Sequence, residues 1–162
     1  MRFWLVPSLV FSPIGASAEE LFSTTVANWT IEQIFDTCAA YNRPNSELQD
    51  APIHVLGFQR SKDGVTSLIA AFWPGGLGED ENALQITLAD LVVDVEAKPF
   101  LNDANSLRTG QLTDELLAAL AGEIAAGTLI TLRALPSQAE ISFEAGELPA
   151  VMAALDACQA AP

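Results

Sequence analysis

Hydrophobic and polar residues alternate along most of this chain with a period of two. They shift to a helical spacing only in the last third. Val26-Ala27-Asn28-Trp29-Thr30-Ile31 predicts a first strand, and residues 37–41 predict a second. Residues 42–46, with Pro44 and two asparagines, form a loop by composition. Residues 53–58 and 65–73 are β-rich runs flanking Asp63-Gly64. Asp and Gly tolerate the positive φ of a tight turn, so this stretch predicts a hairpin. Pro74-Gly75-Gly76 ends it. Leu84, Ile86 and Leu88 share one face of a further strand, and residues 91–95 predict another. Residues 98–110 are polar and carry Pro99 and Asn102-Asp103, which reads as a connection.

A helix begins at Thr113-Asp114-Glu115, where the threonine can cap free N–H groups and the acids face the positive end of the dipole. Leu116, Leu120 and Ile124 form its apolar stripe, and Gly127 is its expected left-handed stop. Two short strands follow, at residues 128–133 and 140–143. A last helix starts around Pro149, which suits a first turn. Leu148, Val151, Leu155 and Cys158 fall on one side of it. Six or seven strands with two late helices make an α+β domain on a mainly antiparallel sheet or open barrel.

The first eighteen residues stand apart. One basic residue, Arg2, precedes an apolar stretch that ends in Ala16-Ser17-Ala18, followed by Glu19-Glu20. This reads as a secretory signal peptide over residues 1–18, leaving one secreted domain over 19–162. Pro7 and Pro13 break the apolar stretch, which is too short for a stable span. The expected location is the periplasm or the exterior. In an oxidising compartment, two cysteines without a spare thiol favour one structural disulfide, Cys38–Cys158. No Cys-x-x-Cys redox motif is present.

The chain carries a formal charge of −14. Its 21 acidic residues all follow Ala18, so the expected mature domain is more acidic still. Such a surface favours solubility and attracts cationic partners. Nucleic acid is a poor partner, because phosphate recognition needs clustered Lys and Arg and the few here are scattered. His54 is the only histidine, which excludes the usual multi-histidine zinc sites. No nucleophile elbow or phosphate-binding glycine loop occurs, and no cofactor or metal is expected. Asn28-Trp29-Thr30 is a glycosylation sequon, relevant only in a eukaryotic secretory pathway. Phe72, Trp73, Glu79, Asp80 and Glu81 surround a glycine-rich turn and are the candidate binding residues. Aromatics at such an edge can act as interaction anchors.

Trp29-Thr30-Ile31 with Cys38-Ala39-Ala40, the run Leu116-Leu117-Ala118-Ala119-Leu120-Ala121-Gly122, Ile141-Ser142-Phe143, and Ala153-Ala154-Leu155-Asp156-Ala157-Cys158 form a recognisable pattern. It resembles small periplasmic proteins related to the invasion-associated locus B family. The resemblance covers both ends of the mature chain. It implies a secreted β-rich domain and supplies no catalytic residues.

The expected function is therefore a non-enzymatic accessory or interaction protein, bound to another extracytoplasmic protein. A sharper form is an inhibitor or escort of a cationic secreted protein. Alternatives are a carboxylate-dependent hydrolase, using Asp94 with Glu96 or the acidic loop, and a small-ligand carrier in an open barrel.

Overall fold

The computed structural model describes residues 21–42, 55–72, 77–100 and 103–161. The expected leader, His54 and Trp73-Pro74-Gly75-Gly76 lie outside the described residues.

The period-two segments form strands, and there are more of them than the pattern predicts. They are β1 (Ser23–Val26), β2 (Trp29–Ile34), β3 (Thr37–Asn42), β4 (Val55–Ser61), β5 (Thr66–Ala71), β6 (Ala83–Leu88), β7 (Leu91–Phe100), β8 (Asp103–Thr109), β9 (Leu129–Leu135) and β10 (Glu140–Glu144). The helices are α1 (Asp114–Ala121) and α2 (Leu148–Ala160). All strand pairs are antiparallel, in the order β1-β2-β3-β4-β5-β8-β7-β6-β9-β10. This is the expected α+β architecture on a mainly antiparallel sheet.

Strand β8 joins two meanders. Its partners are β5, through Ile69–Arg108, Ala70–Leu107 and Ala71–Ser106, and β7, through Lys98–Arg108. The region expected to be a connection is thus the seam of the sheet. Pro99 is tolerated there because the β7–β8 register shifts between Pro99 and Phe100, and a bulge relaxes the demand for a ladder N–H.

The expected first strand over residues 26–31 is also two strands. Ala27 and Asn28 turn the chain between β1 and β2, with Val26 opposite Trp29. Ala27 has φ +49, and the first residues of two other two-residue turns match it: Phe35 at +54 and Ala89 at +51. An Asn or Asp follows each. A left-handed L-residue costs about 1–2 kcal/mol, and glycine avoids most of this penalty. Ala89→Gly is therefore expected to stabilise the fold by about 0.5–1 kcal/mol in urea unfolding, the strain relief less the entropy that glycine adds to the unfolded chain. An unchanged or lower midpoint would show that the turn stores no net strain.

At the predicted hairpin between β4 and β5, Gly64 has φ +81 and donates to the Ser61 carbonyl at 2.9 Å. α1 starts as expected: the Thr113 hydroxyl accepts from the Leu116 N–H at 3.2 Å. It stops earlier than expected, at Gly122, whose N–H bonds Ala118 O at 2.9 Å. A Cβ there would sit 3.1 Å from that carbonyl. Gly127 is left-handed, at +79, but in the turn leading to β9. Ile124 falls beyond the helix and is half-buried.

One core joins both halves of the sheet to the helices. Ile31, Leu56, Phe58 and Leu68 from the first meander meet Leu84, Ile86, Ile130 and Leu132 from the second. α2 lies against β1, β2, β3 and α1, burying Leu148, Val151, Met152, Leu155 and Cys158. Cys158 is bonded to Cys38 of β3, with their Cα atoms 6.0 Å apart. The last helix is thereby tied to the first three strands.

Candidate interaction surface

The structure divides the residues of the glycine-rich loop. Phe72 is 2% exposed and belongs to the core. Its N–H bonds Asn105 O at 2.6 Å, extending the β5–β8 seam. Glu81 is also buried, and its carboxylate accepts from the Gly78 N–H at 3.0 Å, bracing the turn from inside. Glu79 and Asp80 are exposed. Trp73 lies outside the described residues.

Asp94 and Glu96 share the solvent face of β7, as alternation requires. Asp94 accepts from Gln85 Nε2 at 3.0 Å, and Glu96 pairs with Lys98 at 3.3 Å. Each is engaged separately with its own neighbour. Among the described residues, no group of three or more His, Cys, Asp or Glu side chains is placed to hold a metal.

A recess of about 330 Å³ lies over the disulfide, between the end of α2 and the β4–β5 hairpin. Two of its polar side chains, Arg60 and Gln159, are committed to the fold. Arg60 pairs with Asp156 of α2 through Nη1 and donates to Thr66 Oγ1 through Nε at 2.9 Å. Gln159 Nε2 lies 3.3 Å from the carbonyls of both Ser61 and Lys62. These contacts clip the last turns of α2 onto the hairpin, around the bridge.

The tip of the β2–β3 hairpin is different. Phe35 is 89% exposed, the largest value among the exposed large hydrophobic residues described, and Ile34 beside it is 42% exposed. The Gln33 N–H bonds Phe22 O at 2.9 Å, continuing the β1–β2 ladder and bringing exposed Leu21 level with Ile34. Gln33 Nε2 donates to the Phe35 carbonyl at 3.3 Å, holding the turn. Cys38 anchors the same hairpin to α2 three residues further on. A bulky left-handed residue is an outlier, and here its side chain gains little burial in return. The tip is an apolar point on a braced support, with Asp36 exposed beside it.

Sequence reasoning did not single out Leu21, Ile34 or Phe35. The run Gln33-Ile34-Phe35 looks like continuing strand, and no Gly, Pro or Asn-Gly pair marks the turn.

No family model matches the sequence, and no curated protein matches it. Among solved structures, the chain is similar to the crystal structure of invasion associated protein B from Bartonella henselae. The two are 15% identical, with a TM-score of 0.58, over 85% of this chain and 98% of that one. At this identity the likeness shows the fold alone. The chain is thus similar in fold, across nearly the whole of that protein, to invasion associated protein B.

Proposed function

We propose that this chain is a non-enzymatic accessory protein of an oxidising, extracytoplasmic compartment, and that it binds another protein through the tip of the β2–β3 hairpin. The exposure of Phe35 in a left-handed turn carries this reading. Burying such a side chain in a partner's pocket is worth about 1.5–3 kcal/mol. The disulfide supports the compartment, and no described helix is long and apolar enough to cross a membrane. The structural neighbour is itself described as invasion associated, which agrees with an accessory role. The formal charge of −14 favours a cationic partner, drawn in by long-range attraction.

The test is a photo-reactive phenylalanine analogue at position 35, activated in the native compartment and compared with the same analogue at exposed Val92. A discrete adduct from position 35 alone is expected, and mass spectrometry identifies the partner. Phe35→Gly is expected to weaken the complex about tenfold or more while unfolding at no lower temperature than the parent. Raising the salt concentration is expected to slow association. No adduct, or the same adducts from both positions, would overturn the reading.

A further inference from the structure

We infer that Arg108 and Lys98 form a binding site for a small organic monocarboxylate bearing an apolar group. Arg108 also lines the recess beside the hairpin tip, with Ile34, Phe35 and Asp36, so the two readings share that residue while their tests differ.

The two side chains stand directly opposite each other on β8 and β7. Like charges in this position destabilise a sheet. The placement is unexpected in a chain with 7 basic and 21 acidic residues, where a carboxylate is the commoner neighbour. Among the described residues, Arg108 has no carboxylate partner. Its Nε donates to Ser67 Oγ at 3.2 Å, and Ser67 is 3% exposed. That bond fixes one edge of the guanidinium and leaves the terminal amino groups for a ligand. A guanidinium presented in this way matches the two oxygens of a carboxylate.

The backbone supplies the space. Beside this pair, the register shift at Pro99/Phe100 accompanies a recess of about 390 Å³, lined by Lys98, Pro99, Phe100, Arg108 and Gly110. This lies at the small end of the range for small-molecule sites. Bulges recur beside such sites, where they re-aim side chains. Phe100 and Pro99 form an apolar wall next to the cations. Glu96 completes the rim and occupies Lys98 at 3.3 Å, with both side chains more than 70% exposed. Such an exposed pair contributes little and yields readily to a ligand. The Glu96 carboxylate also opposes a doubly charged anion more than a singly charged one, which selects a carboxylate over phosphate.

The test uses 4-phenylbutyrate, its neutral amide and inorganic phosphate, titrated into the full domain and followed by backbone amide shifts. Saturable shifts at Lys98, Thr109 and Gly110 are expected with 4-phenylbutyrate only. Arg108→Gln is expected to weaken binding about tenfold or more, the loss of a charge-assisted contact. Glu96→Gln is expected to strengthen it about two- to fivefold by freeing Lys98. This gain of affinity cannot arise from misfolding, so the test holds even if Arg108→Gln unfolds the domain. Equal binding of the amide would show a merely apolar patch. Equal binding of phosphate would show an unselective cation pair. Either result, or no saturation with 4-phenylbutyrate, overturns the inference.

Discussion

Replacing Cys38 and Cys158 together with alanine is expected to lower unfolding stability by about 4 kcal/mol, the loss of loop closure over a long chain segment. The bridge spans a sequence separation of 120, close to the full length of the described fold. Alanine is the appropriate replacement because both sulfur atoms are buried, and serine would bury hydroxyl groups that need partners. The native arrangement is expected to persist, since α2 keeps its apolar face and its contacts through Asp156 and Gln159. The measurement is guanidinium unfolding of parent and variant, each in the absence of reductant. A loss below about 1 kcal/mol would show that α2 holds the first strands without covalent help.

Trp29→Ala is expected to cost about 3–5 kcal/mol. Trp29 is 1% exposed and packs on Phe58 with ring centroids 5.9 Å apart and planes 29° apart. It follows the β1–β2 turn directly, so it fixes that turn against the core as well as filling volume. Removing it leaves a cavity that paired strands on both sides cannot easily close. Thermal unfolding by circular dichroism measures the loss. A shift equivalent to less than about 1 kcal/mol would mean that Phe58 and its neighbours collapse into the space. Domains have only about 5–15 kcal/mol in hand, so combining this change with loss of the disulfide is expected to leave a largely unfolded chain.

The periodicity of the chain disclosed the α+β class, the Asp63-Gly64 hairpin, the β6 strand, the start of α1 and the buried face of α2. Each of these rests on local chemistry: an Asp-Gly turn, clean alternation, a threonine cap, or an apolar stripe. The errors share a cause. The turns at Ala27-Asn28 and Phe35-Asp36 place ordinary residues in a left-handed conformation, so nothing in their composition breaks the strand pattern. Pro99 and Asn102-Asp103 signalled a connection where the register shift at a bulge lets β7 and β8 pair. Tertiary context decided these places, and the candidate surfaces lie there too. Phe35 looked like part of an apolar run, and Arg108 like one of several scattered cations. The glycine-rich loop drew attention through its aromatics and acids, yet Phe72 and Glu81 are turned inward.

The span of the Cys38–Cys158 bond also bears on the order of assembly. A chain that emerges N-terminus first presents Cys38 long before the helix that carries its partner. Every hairpin of the first meander can pair while that thiol is still free. Oxidation therefore cannot guide the early strands. It can come only late, because Cys158 emerges with α2 at the end of the described fold. Any protein truncated before α2 leaves Cys38 without its intramolecular partner, so its sulfur can bond only to another molecule.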